Sequence, residues 1–176
     1  MRVNKKAQIW IETVIYTLIG LSIIGVVLGI VKPAIDEKTD SMSIKQSIDL
    51  LNYIDQQIDE VKYSGAGTSI PLGIKIGKGK LYLDGENDRI SMVIEGSRSE
   101  YSEPGEVVNV GGNIQAITIK KSSKYTINLS IDYSNRANIT YRGRDILQTL
   151  QNAPVAYEFY LKNNGLTGDY TNIDFY

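Results

Sequence analysis

One carboxylate, Glu12, lies just before a long uncharged run, where an ionised side chain is unusual. The eighteen residues 14–31 carry no charge, which is long enough for a membrane-spanning helix. An ionised carboxylate in lipid is costly unless it is paired, so such a residue usually has a function. Two interpretations are open. Glu12 pairs with a cation on a neighbouring helix, or it lies at the membrane surface and reaches water.

The composition argues against several common kinds of active site. The 176-residue chain has no histidine and no cysteine, which removes the commonest general base and metal ligand together with any thiol nucleophile. Asp84, Glu86 and Asp88 lack the spacing of a calcium-binding loop and predict a solvated turn. We therefore expect no enzymatic activity, no metal and no cofactor. The formal net charge of −1 also argues against a nucleic-acid partner, which would require a basic face.

Basic residues flank the uncharged run and set its expected orientation. Arg2, Lys5 and Lys6 precede it, and Lys32 follows it. The positive-inside rule then places the N-terminus in the cytoplasm and the residues after Lys32 outside the cell. An ordinary secretory signal peptide would end in a small-residue cleavage site, which is missing here, so we expect no cleavage after the run.

Five residues in this region, Lys5, Lys6, Ala7, Gln8 and Glu12, resemble the class III signal peptide of type IV pilin-like proteins, particularly the archaeal form. The basic pair, the small residue, the glutamine and the glutamate all have the family's spacing, although many members have Gly in place of Ala7. The resemblance implies that a prepilin peptidase recognises Lys5 and Lys6 and cuts between Ala7 and Gln8. Residues 1–7 would then be a cleaved signal peptide.

Such a cut would change the charge of the chain and create a partner for Glu12. Loss of Arg2, Lys5 and Lys6 would leave 16 of the 19 basic residues beside 20 acidic ones, a formal net charge of −4. The cut would also free the α-amine of Gln8, one helical turn before Glu12. In a packed bundle this amine could meet the Glu12 carboxylate of a neighbouring subunit, and the pairing would fix the stagger between subunits.

Three glycines interrupt the uncharged run and are candidates for helix packing: Gly20, Gly25 and Gly29. Gly25 and Gly29 form a G-x-x-x-G pair, and Ser22 adds another small residue. Small side chains let helices approach closely in lipid. The other interpretation is that glycine is simply more frequent in membrane helices than in soluble ones.

The helical pattern continues beyond Pro33, where we expect a kink. Apolar residues then recur at spacings of three and four, which predicts an amphipathic helix packed on the domain that follows. These residues are Ile44, Ile48, Leu51, Ile54, Ile58 and Val61. Ser64 and Gly65 predict the end of the helix. We therefore predict one long helix over residues 8–64, hydrophobic to about residue 31.

From Thr68 the apolar pattern changes to a period of two, which indicates strands. The clearest alternation covers residues 125–133, whereas residues 145–151 fit either a strand or a short helix. About seven to nine short strands over residues 65–176 predict an extracellular β-sandwich domain. The expected fold class is α+β, with a long, partly transmembrane N-terminal helix followed by an antiparallel β-sandwich head domain.

Two N-glycosylation sequons lie in this predicted domain, at Asn128 and Asn138. Asn128 alternates with the apolar residues of its strand, so we expect it on the exposed face. The motif is short and the chain is rich in Asn, Ser and Thr, so the sequons predict possible modification sites and nothing firmer.

The resemblance favours a structural subunit, a pilin of an archaeal type IV pilus-like surface filament that assembles through its hydrophobic helix and serves adhesion. It implies as partners a prepilin peptidase, other pilin subunits, a pilus assembly platform with its ATPase, and the membrane before assembly. An archaellin or a minor pseudopilin is also open, although archaellins usually have Gly where Glu12 stands. The head would lie outside the cell, first on the membrane and later in an extracellular filament.

A second hypothesis comes from a different class of protein. The chain would be an uncleaved single-pass membrane protein whose extracellular β-sandwich binds a ligand. Twelve tyrosines against two phenylalanines fit such a surface, since tyrosine suits contacts that are part apolar and part polar. Either a glycan or a protein could be the ligand. The two hypotheses differ in whether residues 1–7 remain on the mature chain.

Overall fold

A single helix and ten strands form the part of the chain that the structure describes. The computed structural model describes residues 5–176, with side chains from Ile9 onward. Helix α1 covers Lys5–Tyr63 and continues through Pro33 without interruption, so the kink expected there stays a prediction. The chain divides into two compact units between Thr39 and Asp40. The second unit therefore contains the last 24 residues of α1 and all of the strands.

Helix α1 ends at Tyr63 because its last carbonyl groups find partners outside the helix. Gly65 adopts a positive φ of 90°, the left-handed conformation that commonly terminates a helix. The buried Asn163 side chain donates its Nδ2 hydrogens to the carbonyl oxygens of Val61 and Lys62, at 3.1 and 3.3 Å. These bonds satisfy acceptors that a helix end otherwise leaves open.

The strands are short and follow the helix without another helical element in the described residues. In chain order they are β1 Ser69–Ile74, β2 Lys80–Asp84, β3 Arg89–Ser97, β4 Val107–Gly111, β5 Ile114–Lys121, β6 Lys124–Asp132, β7 Ala137–Tyr141, β8 Leu147–Gln151, β9 Tyr157–Thr167 and β10 Tyr170–Phe175. The ambiguous residues 145–151 thus supply strand β8. That raises the number of strands above the range expected from the sequence.

Two sheets divide these strands between them. The six-stranded sheet has the order β4-β5-β6-β3-β2-β8 and is antiparallel throughout. The four-stranded sheet has the order β1-β9-β10-β7, and its β10–β7 pair is parallel. The predicted α+β class, a long N-terminal apolar helix followed by a head of antiparallel sheets, is confirmed. The parallel pair departs from the expected pattern because β7 and β10 are far apart in the chain and are not joined by a hairpin.

One hydrophobic core joins both sheets to the last part of α1. The predicted apolar stripe is confirmed, since five of its six residues are at most 2% exposed and Ile48 packs against them half-buried. Alternate strand residues complete the core, such as Leu129 in the six-stranded sheet and Phe175 in the four-stranded sheet. Burying apolar side chains of this size typically stabilises a fold by about 1.5–3 kcal/mol each.

A partly buried ionic cluster lies beside the apolar stripe of the helix. Asp55 is only 9% exposed. It accepts hydrogen bonds from the Tyr133 hydroxyl at 2.9 Å, Asn113 Nδ2 at 2.8 Å and Arg136 Nη1 at 3.1 Å. Arg136 also donates to both carboxylate oxygens of Asp59, at 3.0 and 3.2 Å. The buried charge of Asp55 is tolerable because it is paired and hydrogen-bonded.

Tyr133 is the neutral member of this cluster and is held in its donor form. Burial raises the pKa of the Tyr133 hydroxyl far above its ordinary value, and the negative charge of Asp55 raises it further. The hydroxyl therefore stays protonated over the pH range in which proteins are usually folded, and it can donate its hydrogen bond to Asp55 throughout that range. Its removal would leave a buried carboxylate oxygen with fewer donors.

We expect Tyr133→Phe to lower the free energy of unfolding by about 1–2 kcal/mol, because it deletes one buried hydrogen bond while conserving the ring. Tyr53→Phe is the matched control, since Tyr53 lies on the same helix with 40% of its surface exposed. The control should change stability by less than about 0.5 kcal/mol. Urea denaturation of the full chain in detergent micelles measures both. Equal denaturation midpoints for the two variants would contradict the role assigned to Tyr133.

An exposed apolar helix segment as the candidate functional site

The candidate functional site is the apolar segment of α1, which we define as residues 9–31. Every Ile, Leu, Val, Trp and Tyr side chain in this segment is exposed, from 39% at Val14 to 73% at Trp10. The remaining exposed side chains are Ile9, Ile11, Ile15, Tyr16, Leu18, Ile19, Leu21, Ile23, Ile24, Val26, Val27, Leu28, Ile30 and Val31. A continuous apolar surface of this kind marks a membrane or protein contact.

The segment also has the dimensions of a membrane span. Among the described residues, α1 is the one helix long and apolar enough to cross a membrane, by length and composition. Its most apolar window is entirely unburied within the chain. A bilayer core about 30 Å thick needs roughly 20 apolar residues in a helix. The segment therefore matches either lipid or the apolar side chains of other helices as its surroundings.

The serine and threonine hydroxyl groups of the segment are already satisfied within the helix. Thr13 donates to the Ile9 carbonyl at 2.9 Å, Thr17 to the Thr13 carbonyl at 2.8 Å, and Ser22 to the Leu18 carbonyl at 2.8 Å. Such bonds to the carbonyl four residues earlier let a hydroxyl enter an apolar medium without an unpaired donor. These three side chains can thus be buried in lipid at little polar cost, and the other polar side chains of the segment are Trp10, Glu12 and Tyr16, all in its first half.

The predicted assembly residue Glu12 lies exposed at the start of the segment. At 100° per residue, Tyr16 and Gly20 follow it at angular offsets of about 40° and 80°, so the three residues share one side of the helix. The hydroxyl-bearing Thr13 and Thr17 extend that side to about 140°. Polar groups in the first half of the segment are therefore gathered on one face, which we call the Glu12 face.

The three candidate packing glycines do not form one face. Gly25 and Gly29 lie about 40° apart, whereas Gly20 is about 140° from Gly25 and 180° from Gly29. Ser22 falls beside Gly29, so Ser22, Gly25 and Gly29 make a second surface, the Gly25 face. A Cβ atom placed on any of the three glycines would meet nothing within 4 Å, and each glycine therefore adjoins open space.

The predicted cleavage residues are described only in part. The backbone of Lys5, Lys6, Ala7 and Gln8 belongs to α1, but their side chains lie outside the described residues. Residues 1–4 of the predicted signal peptide also lie outside them. Recognition by Lys5 and Lys6, the cut after Ala7 and a role for Gln8 in assembly all stay predictions.

The two sequons lie on strands of the second unit. Asn128 is in β6, where it is opposite Val93 on one side and Ile117 on the other. It is half-buried, and its Oδ1 atom is buried without a hydrogen-bond partner among the described residues. Asn128 is on the face opposite its buried neighbours Ile127 and Leu129, as expected, but it is half-buried and not exposed, since the paired residues Val93 and Ile117 flank it. Asn138 is also half-buried, in the edge strand β7, and its glycosylation stays a prediction like that of Asn128.

Comparison with known proteins finds no relative of this chain. No family model matches the chain, and neither a curated protein nor a solved structure matches it.

We expect Ile24→Lys to remove the chain from the membrane fraction, because a lysine at the centre of a membrane helix costs about 2.5–3.5 kcal/mol. Ile24 is 55% exposed and lies outside the hydrophobic core, so the substitution leaves that core unchanged. Met42→Lys is the matched control, since Met42 is 64% exposed on the same helix but lies beyond the segment. Extraction of cell membranes with alkaline carbonate measures the difference. Full retention of the Ile24→Lys chain would contradict burial of the segment in lipid.

Proposed function

We propose that this chain is the structural subunit of a type IV pilus-like surface filament of the archaeal kind. The observation that carries the proposal is the uncovered apolar segment, headed by a carboxylate and followed by a folded β-rich head. A subunit of this design first lies in the membrane and then exchanges lipid for neighbouring helices. The resemblance of Lys5, Lys6, Ala7, Gln8 and Glu12 to a class III signal peptide supports the same function.

In the proposed mechanism, processing prepares the helix for assembly. A prepilin peptidase removes residues 1–7 on the cytoplasmic side, and Gln8 becomes the first residue of the mature chain. Its new α-amine carries a positive charge at neutral pH. The amine of one subunit pairs with the Glu12 carboxylate of another, so that each charge leaves water together with a partner.

Assembly then covers the apolar segment. An assembly platform driven by its ATPase extracts the helix from the bilayer and stacks it against earlier subunits. Small residues at Gly25 and Gly29 let neighbouring helices approach, since their surroundings are open in the single chain. The head lies outside the cell and coats the filament, where it serves adhesion. Glu12 fits a pilin better than an archaellin.

Mass spectrometry of the protein purified from its native membrane tests the processing step. We expect a mature chain that begins at Gln8. Lys6→Glu should block recognition and leave the chain at full length, whereas Lys45→Glu, a charge reversal far from the cleavage residues, should be processed normally. An intact N-terminus on the native protein would contradict the proposal and favour an uncleaved single-pass membrane protein.

Electron microscopy of cells that carry Glu12→Ala tests the assembly step. We expect processing at Gln8 to continue, because the substitution lies beyond the cut, while filaments become rare or absent. Glu37→Ala serves as the control, since it removes an exposed carboxylate from the same helix outside the apolar segment. If the processed Glu12→Ala chain assembles as many filaments as the unaltered protein, charge pairing does not drive the assembly.

A further inference from the structure

A row of three ring side chains crosses the outer face of the four-stranded sheet. Pro71 in β1 is directly opposite Tyr160 in β9. Tyr160 and Tyr176 donate their backbone N–H groups to each other's carbonyl oxygens, at 2.9 and 3.1 Å. Residues that are directly opposite on antiparallel strands point to the same face. Pro71, Tyr160 and Tyr176 therefore lie side by side, and we call them the ring row.

The ring row is exposed and held in place. Tyr160 and Tyr176 are 51% and 46% exposed, although both rings belong to well-paired backbone. Their centroids are 5.7 Å apart with an interplanar angle of 29°, so the rings stack against each other. The Tyr176 hydroxyl and Ser69 Oγ are 3.0 Å apart and share a hydrogen bond. The orientation of the rings is thus fixed before any ligand arrives, which lowers the entropic cost of binding.

A shallow groove and two unpaired charges accompany the row. The groove has a volume of about 260 Å³ and is lined by Pro71, Gly73, Glu158 and Tyr160 together with parts of their neighbours. Glu158 and Lys162 stand two residues before and after Tyr160 on the same face of β9. Within the described residues, neither side chain has a hydrogen bond or an ion pair.

We propose that the ring row binds a neutral glycan. A sugar ring presents an apolar C–H face that can stack on Tyr160, while its hydroxyl groups can donate to the Glu158 carboxylate and accept from the Lys162 ammonium. Glu158 and Lys162 lie on either side of Tyr160 along β9, and Asp174 of β10 lies directly opposite Lys162. The surface around the ring therefore has no excess of positive charge that would attract an acidic sugar. The groove lies on the Glu158 side of Tyr160 and is below the usual size range of pockets for drug-sized ligands. A sugar unit in the groove therefore faces Glu158, and the next unit of the glycan lies beside Lys162.

The same charges disfavour a protein as the occupant. The centre of a protein interface is depleted of charged residues, because an unpaired charge buried there costs free energy. A protein laid over Tyr160 would cover Glu158 and Lys162 together, whereas sugar hydroxyls can satisfy each of them singly. The proposal concerns the head alone and stands whether or not the helix assembles into filaments.

Saturation-transfer NMR with the full chain in detergent micelles tests the proposal, using hexasaccharides of glucose, mannose and N-acetylglucosamine as probes. We expect at least one probe to bind at millimolar concentration, with the largest transfer to sugar ring protons. Tyr160→Ala should weaken that binding about tenfold, because it removes the stacking surface. Tyr160→Phe should retain most of the affinity, because the ring face remains.

Tyr170→Ala provides the matched control, since Tyr170 is also exposed, at 38%, but lies outside the ring row. It should bind the probes like the unaltered protein, and circular dichroism should show that all variants remain folded. Failure of all three hexasaccharides to bind overturns the proposal. Equal affinity in the Tyr160→Ala variant overturns it as well, as does self-association that depends on Tyr160 in the absence of sugar binding.

Discussion

The uncovered surface of the apolar segment is the constraint on which the rest of the molecule depends. Water in contact with this surface costs roughly 25 cal/mol for each Å² that could be buried, and the chain itself buries none of the segment's large side chains. The covering must therefore come from outside, as lipid or as other helices. The internal bonding of Thr13, Thr17 and Ser22 and the absence of charge from residues 14–31 make the segment fit for both environments.

The head depends on the helix in a different way. Residues 40–63 of α1 supply part of its core, and the helix end is closed by Asn163 from β9. Tyr133 and Arg136, which follow β6, both bind Asp55 of the helix, so hydrogen bonds as well as apolar contacts join the helix to the sheets. The last part of the helix is thus a structural element of the head, and its removal would open the hydrophobic core.

Periodicity in the sequence predicted the elements well, because it depends on neighbouring residues alone. The spacing from Ile44 to Val61 identified the buried helix stripe, and alternation identified most strands. It did not predict the burial of Asp55 or the parallel pairing of β10 with β7, since both depend on residues far apart in the chain. The ring row was missed for the same reason. Abundant tyrosine was a signal, but only the strand register places Tyr160 between Pro71 and Tyr176.

The two small or polar faces of the apolar segment lie on opposite sides of the helix, and this has a consequence for symmetry. A two-fold dimer joins identical surfaces, so it could cover the Glu12 face or the Gly25 face but would leave the other exposed. Covering both with a single kind of contact requires unlike surfaces to meet, with the Glu12 face of one chain against the Gly25 face of the next. A head-to-tail contact of that kind repeats without limit unless its rotation closes a ring. The angular positions of a few residues thus favour a repeating head-to-tail contact over a two-fold dimer.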